Sequence, residues 1–352
     1  MSTTTAALQT AIDELVGDGI LSAQLRVHDR GDVWVGTAGV ARLGEPEGPP
    51  ADGRFRIGSA TKTFAATVVL GLVAEGRFGL DDAVAGHLPG FDLDPRITVR
   101  MLLQHTSGVF AFTGEYFEDG TVVPGIPVLG QEWVEARFTT YTPEELARFA
   151  LAKPARFEPG ADWNYSNTNY VLARLLVEQV TGRSLAEETH RLILGPLGLA
   201  NTFLPGADTA IPGPHAHAYY RYEEDGVEKT VDVTVQNPSW ISTGGDMIST
   251  TEDLHTFISA LMGGRLLPAP LLDEMRTPHP KAGYGLGLFV LDDGALLNHN
   301  GGLSGYATLM YATPDGETTL TGSLTYVDDA AMSQAASFQP FVEKVIAEVF
   351  SR

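Results

Sequence analysis

The sequence predicts an α/β fold in which one sheet, built from both ends of the chain, carries an inserted, mainly helical subdomain. Three observations predict it. Strand-like runs cluster near both termini, at residues 24–40 and again at 283–326. Between them, helical periodicity alternates with Pro- and Gly-rich turns. At 352 residues and 43% hydrophobic content, the chain can bury the core of one large domain or of two intimately packed ones. The sheet subdomain is read as 1–76 together with 236–352, and the helical subdomain as 77–235, with a site at their interface.

Taken in order, Ala7, Leu8, Ile12, Leu15 and Val16 recur at helical spacing in residues 4–17, and a hairpin around Arg30-Gly31-Asp32 follows. From Thr61 to Glu75, Phe64, Val68, Leu72 and Val73 share a helix face, and Gly76 supplies a stop. Helices are expected at Val99–Gln104, Pro143–Leu151 and Asn169–Thr181. Beyond Trp240 come a helix over Thr251–Met262, strands at 283–291, 305–312 and 317–326, and a closing helix at about 336–350. No internal repeat or low-complexity segment interrupts this order.

Composition narrows the function. A formal charge of −21, spread along the chain, describes a solvated acidic surface that repels polyanions, so nucleic acid is not an expected partner. There is no cysteine, which removes disulfides, thiolate metal sites and a cysteine nucleophile. The opening MSTTTAALQTAIDELVGDGI lacks a basic start and an apolar run, and no later run is long enough to span a bilayer. The expectation is a cytoplasmic protein with no membrane segment, or a secreted one if a leader has been removed.

Three motifs carry chemistry. In FRIGSATKTF, Ser59 and Lys62 stand three residues apart in a chain with only five lysines. That spacing puts both on one helix face, where an amine can serve a serine as base, and a helix N-terminus offers N–H groups to an oxyanion. The same residues equally describe a helix cap beside a solvated lysine. In WNYSNTNY, Tyr165 precedes a helix, and Lys62 is the cation that could stabilise its phenolate; Tyr and Asn are also common cap and packing residues there. In NHNGGLSGY, His299 precedes glycines that let a strand edge approach a ligand, although alone this is a Gly-rich hairpin.

In this order, Ser-x-x-Lys, Tyr-x-Asn and His-x-Gly resemble the penicillin-recognising serine hydrolases: class C β-lactamases, D-Ala-D-Ala carboxypeptidases, D-aminopeptidases and related esterases. The likeness is greatest to the actinomycete D-Ala-D-Ala carboxypeptidases, whose third motif also begins with His. It extends through ITVRMLLQHTSGV, YSNTNYVLARLLVEQVTG, NTFLPG, STGGDMISTTEDLHTFISALMGG and GYGLGL. The resemblance implies a β-lactamase-like (DD-peptidase) fold, with an antiparallel sheet flanked by helices. It also implies an acyl-enzyme on Ser59, proton transfer through Lys62, and Tyr165 as general base and then acid. Asn167 would bond the substrate amide, His299 would assist Tyr165, and the N–H groups of Ser59 and Gly302 would hold the oxyanion. Trp240 and Phe117 match aromatic positions that wall the cleft. No cofactor or metal is implied.

The pattern departs at one place. In the carboxypeptidases, an arginine after GYGLGL and hydroxyl residues flanking the third-motif glycine hold the free carboxylate of the terminal D-Ala. Here Phe289 follows Leu288, and Asn300 and Gly302 replace the hydroxyl residues. An unpaired carboxylate there would carry a desolvation cost of several kcal/mol. The expectation is therefore a serine hydrolase acting on a small amide, ester or short peptide whose leaving-group side is neutral. The alternatives are an acyltransferase of small-molecule biosynthesis, a D-Ala-D-Ala carboxypeptidase, a D-aminopeptidase, a β-lactamase, or a non-catalytic binding protein of the same fold.

Other features read as structural. His215 and His217 lack a third ligand for a metal. Gly283-Tyr284-Gly285-Leu286-Gly287 has no following helix for a dinucleotide and is read as strand glycines. Glu223-Glu224-Asp225 is read as a solvated turn, and His105-Thr106-Ser107-Gly108 as a turn beneath the site.

Overall fold

The computed structural model describes residues 2–17, 19–117 and 119–351. Helix α1 (Ser2–Leu15) precedes a hairpin of β1 (Ile20–Asp29) and β2 (Asp32–Gly39), closed by Arg30 and Gly31, both at positive φ as a two-residue loop demands. Strand β3 (Phe55–Arg56) passes through a 3-10 turn at Gly58–Ala60 into α2 (Thr61–Ala74). The middle of the chain holds α3 (Val99–Gln104), the short pair β4 (Glu115–Tyr116) and β5 (Val122–Val123), then α4 (Gly130–Ala136), α5 (Pro143–Leu151), α6 (Asn167–Thr181), α7 (Leu185–Thr189) and α8 (Gly195–Leu197). It ends in a second hairpin, β6 (Tyr219–Glu224) and β7 (Val227–Asp232). Then follow β8 (Ile248–Ser249), α9 (Thr251–Met262), α10 (Ala269–Arg276), β9 (Phe289–Leu291), β10 (Leu296–Asn298), β11 (Gly301–Leu303), β12 (Tyr306–Ala312), β13 (Thr318–Asp329) and α11 (Ala335–Phe350).

The helix ends follow local chemistry. Thr142 and Glu145 form a capping box with Pro143 in the first turn of α5, Thr98 and Thr250 cap α3 and α9, and Gly182 ends α6 at φ 69°. The main sheet has nine strands. Its central order is β2-β1-β13-β12-β10-β9, so the first and last strands of the chain are neighbours; β11 pairs with β12. Strands β1 and β13 pair antiparallel from Ile20 opposite Tyr326 to Asp29 opposite Thr318.

Two apolar clusters hold this sheet. Leu8 and Ile12 of α1 meet Phe341 and Val345 of α11 over Leu25 and Leu320. The larger cluster surrounds α2, whose residues from Thr61 to Leu70 are all buried. Helix α2 is thus buried on all sides, its threonines and Lys62 included, rather than through a single core-facing stripe.

Two sequence expectations differ from the structure. Residues 283–288 are not strand; strand structure begins only at Phe289, because three glycines in six residues favour turns. Within the stretch expected to be mainly helical, β6 and β7 form a hairpin, and β6 joins the main sheet by pairing parallel with β13, Asp328 opposite Tyr220.

Candidate active site

Strand β3, tied to β8, delivers the chain to Gly58, whose φ of 52° turns it sharply into the 3-10 turn that carries Ser59. A side chain at Gly58 would also lie 2.6 Å from the Gly302 nitrogen. Lys62 follows in the first turn of α2 and is wholly buried because α2 is. Its Nζ lies 3.1 Å from Ser59 Oγ, 2.7 Å from Asn167 Oδ1 and 2.6 Å from the Gly244 carbonyl oxygen. Three acceptors match the three protons of an ammonium, yet among the described residues no carboxylate pairs with it. Burial therefore depresses the amine well below its usual pKa of 10.5, toward a form that can accept a proton.

Tyr165 is set by His105. This residue ends α3 in the left-handed conformation, φ 63°, and its carbonyl accepts from Asn164 N–H. Its Nδ1 accepts from Ser166 N–H at 3.3 Å and Asn169 Nδ2 at 3.1 Å, so the ring proton sits on Nε2. Burial first, and second the charge Lys62 carries whenever it is protonated, keep His105 neutral. The Tyr165 ring lies 4.3 Å from the His105 ring, centroid to centroid. Burial raises the phenol well above 10, opposed by a hydrogen bond with Ser59. Lys62 does stand beside Tyr165, but over its ring face, 4.7 Å from the centroid. Asn167 opens α6 and bridges Lys62 to Thr113, with Nδ2 3.4 Å from Thr113 Oγ1.

The third wall is β11. Its hairpin with β12 turns at Ser304 and Gly305, both at positive φ, so Leu303 and Tyr306 form the bonded pair that closes the loop. Alternation then leaves the N–H and C=O of Gly302, opposite Ala307, directed away from β12. Gly301 brings this edge against the nucleophile: a Cβ there would lie 1.9 Å from the Ile57 carbonyl oxygen and 3.0 Å from Ser59 N. At Gly302 the nearest atom to such a Cβ is 4.0 Å away.

These three walls enclose a cleft of about 700 Å³, lined by Ser59, Tyr165, Asn167, Trp240 and Gly302 among the residues expected at the site. Tyr116, Tyr220, Tyr326, Phe338, Met332 and Asp328 line it as well and were not anticipated. Among the described lining residues there is no Arg, Lys or His, and Asp328 is the one charged group. The arrangement offers a hydroxyl bonded to a buried amine, a phenol beside both, and an outward backbone edge, which together suit attack on an acyl carbon.

Five expected residues do not line the cleft: Lys62, buried beneath Ser59, and four others. His299 is buried behind it: its Nδ1 donates to the Asn300 carbonyl at 2.8 Å, and Nε2 accepts from the Tyr284 hydroxyl at 3.0 Å. Its ring is 6.4 Å from that of Tyr165, and its hydrogen-bonding partner is thus Tyr284 rather than Tyr165. Burial, with the charge Lys62 carries when protonated second, pushes His299 down to about 3, leaving a neutral ring. Phe289 stacks edge-on against Tyr284 and His299. Asn300 turns away from the cleft, its Nδ2 2.6 Å from the Tyr311 hydroxyl. Phe117, just past the end of β4, is exposed and covers the Arg156 guanidinium at 4.4 Å; its neighbour Tyr116 lines the cleft instead. Tyr284, the partner of His299, carried no sequence signal beyond its glycine-rich surroundings. Ser107, its Oγ 2.5 Å from Asn169 Oδ1, is a buried structural hydroxyl.

His217 bonds Asp232 and Arg42, and no group of three or more His, Cys, Asp or Glu side chains able to hold a metal ion occurs among the described residues. No helix among them is long and apolar enough to cross a membrane.

Comparison with known proteins places this geometry in context. The model of the family described as Beta-lactamase matches residues 8–334. A D-stereospecific amidohydrolase from Streptomyces sp. superposes with a TM-score of 0.82 at 40% identity over 98% of each chain. D-amino acid amidase from Ochrobactrum anthropi SV3, complexed with L-phenylalanine amide, does so with a TM-score of 0.81 at 25% identity, also over 98% of each. Esterase EstB of Burkholderia gladioli is 29% identical over 69% of this chain and 68% of its own. The chain spans 50 to 73% of the length of three other curated relatives, two penicillin-binding proteins of Bacillus subtilis and the Staphylococcus aureus protein flp.

Proposed function

The chain belongs to the beta-lactamase family, as a serine hydrolase of amides or esters with that family's fold, and from this premise we propose an acyl-enzyme amidohydrolase whose substrate has no carboxylate on its leaving-group side. The observation that carries the neutral leaving group is the cleft wall, which offers no Arg, Lys or His among its described residues. A substrate carboxylate would be desolvated there without a partner, at a cost of several kcal/mol. The 40% identical neighbour, a D-stereospecific amidohydrolase, supports a D-configured residue on the acyl side.

In this reading the neutral Lys62 amine takes the Ser59 proton as Oγ bonds to the substrate carbonyl carbon. The oxyanion is held by the N–H groups of Ser59 and Gly302. Collapse breaks the C–N bond, and the departing amine takes a proton passed back from Lys62 through the Tyr165 hydroxyl. Water then attacks the ester on Ser59, giving its proton to Lys62; collapse breaks the C–Oγ bond, Lys62 returns the proton to Ser59 Oγ, and the acid is released. The opposite displacements of the two pKa values favour this division of labour: the lysine becomes easier to deprotonate and the tyrosine harder. Tyr165 thus acts as a protonated relay rather than the resting phenolate. His299 holds Tyr284 and the floor of the site and does not touch the reacting atoms.

The test is a set of paired substrates sharing one D-configured acyl residue and ending in a primary amide, a methyl ester or a free D-Ala carboxylate, with an L-configured amide alongside. Preference for the neutral D-amide supports the reading. Preference for the free carboxylate overturns it.

A further inference from the structure

Past the reacting atoms, the cleft runs beyond the tip of the β11–β12 hairpin to Asp328 on β13, among Tyr220, Tyr326, Met332 and Phe338. Asp329 N–H donates to Asp328 Oδ1 at 2.9 Å, and Gly305 N–H bonds the same carboxylate. Gly305 comes this close because it has no side chain: a Cβ there would lie 2.9–3.0 Å from Ala218, Tyr219 and Tyr326. These bonds orient the carboxylate without neutralising it. The neighbouring Asp329 is compensated, its Oδ2 2.7 Å from Arg221 Nη2 and also bonded by Ser333. Arg221 is further shared with Glu228. Among the described residues no cation pairs with Asp328, although it faces the cleft. Burial, with the Asp329 charge adding to it, pushes its carboxyl up to about 6, so at neutral pH it is ionised, partly desolvated and uncompensated.

We propose that Asp328 and its aromatic surround form a subsite for a cationic group at the far end of the acyl donor, an inference that rests on the amidohydrolase reading. The position sets the reach. From Gly302, which borders the reacting carbonyl, to Gly305, which borders Asp328, is on the order of 8–10 Å of strand and turn. The α-ammonium of a single aminoacyl group, two bonds from the carbonyl carbon, falls well short. An extended peptide gains about 3.3–3.6 Å per residue, so the N-terminal ammonium of a short peptidyl donor fits, as does the cation of a lysine- or arginine-like side chain. Tyr220, Tyr326 and Phe338 place aromatic rings along the same stretch of the cleft, and aromatic rings attract cations.

The experiment uses the full chain and two pairs of p-nitroanilide donors. One pair is a D-configured tripeptide with a free or an acetylated N-terminus; the other carries a lysine or a norleucine side chain on a single N-acetylated D-residue. The pair that responds identifies the source of the cation. The expected result is a kcat/KM ratio favouring the cationic member by roughly tenfold, expressed in KM, as for a hydrogen bond to a charged group. In Asp328→Asn that ratio falls to near one, and in Asp328→Lys a succinylated tripeptide becomes the preferred donor. Equal kcat/KM within both pairs for the parent enzyme, or a cation preference that survives in Asp328→Asn, overturns the inference. Should the substitutions impair folding, as melting temperature would reveal, the parent's own ratios and their fall with added salt still decide. Affinity of Ser59→Ala for the same donors, measured by calorimetry, reads the subsite without turnover. Loss of hydrolysis of the neutral donors by the parent would refute the amidohydrolase reading, and calorimetry would still test the cation preference.

Discussion

Replacing Gly301 with alanine should disable the enzyme while the same change one residue on, at Gly302, should not. The Gly301 Cβ would lie 1.9 Å from the Ile57 carbonyl oxygen, and carbon and oxygen do not approach within 3.0 Å. Strand β11 and the turn carrying Ser59 must therefore separate by at least about 1 Å, a misplacement that costs ~10²-fold when it falls between reacting groups. The displaced group is the N–H of the neighbouring Gly302, and loss of one oxyanion donor costs ~10²–10³ in kcat. The two figures agree, so Gly301→Ala is expected to lose two to three orders of magnitude in kcat with little change in KM. Overpacking should cost about 1–3 kcal/mol of stability, leaving a folded protein. The Gly302 Cβ would meet nothing nearer than the Tyr306 carbonyl oxygen at 4.0 Å, so Gly302→Ala keeps kcat near that of the parent. The assay is steady-state hydrolysis of an activated amide, with near-UV circular dichroism and thermal melting on the same samples. Full kcat in Gly301→Ala, or equal damage from both substitutions, would refute the reasoning.

Four further expectations concern buried groups around the site. Lys62→Met and Lys62→Arg should each lose ~10²–10⁴ in kcat, since methionine has no base and a guanidinium does not deprotonate. Because burial depresses the Lys62 pKa and catalysis needs the neutral amine, kcat/KM of the parent should rise with pH through that lowered value; a profile falling over the same range would contradict the assignment. Tyr284→Phe should leave His299 Nε2 buried without its donor, lowering stability by about 1–3 kcal/mol, with a loss of kcat much smaller than that of Lys62→Met. Melting curves and kinetics on one preparation separate the two effects. Arg156→Ala should leave the carboxylate of Glu115, buried and bonded to Arg156, Asn164 and Ala111 N–H, without its cation. The expected cost is about 3 kcal/mol, read by chemical denaturation, and an unchanged midpoint would show the pair to be dispensable.

Much of this was legible in the chain because the signals are local. The periods and breakers that mark α3, α5 and α9 lie within the segments themselves, and their limits agree with the sequence reading. Ser59 and Lys62 meet because three residues on a helix bring side chains together wherever the helix lies. What was not legible depends on distant pairing. The parallel match of β6 with β13 joins residues about a hundred apart, and neither strand names its partner. The aromatic Phe289 and the amide Asn300 looked like cleft residues by motif position, but pairing turns one toward Tyr284 and the other toward Tyr311. Tyr284 was hidden in a run read as strand, although a buried histidine with one nitrogen committed to a backbone carbonyl calls for such a donor. Asp328 escaped notice for the same reason: it becomes a cleft carboxylate only because β13 outruns β12 and passes the turn at Gly305.

The central claim, an acyl-enzyme on Ser59 fed by a buried amine, is tested most directly by intact-mass measurement after rapid mixing with an activated ester of a D-configured acyl group. The account predicts one acyl adduct, mapped by peptide mass to the segment carrying Ser59, formed slowly in Lys62→Met and absent from Ser59→Ala. An adduct of the same mass and rate in Ser59→Ala would contradict it.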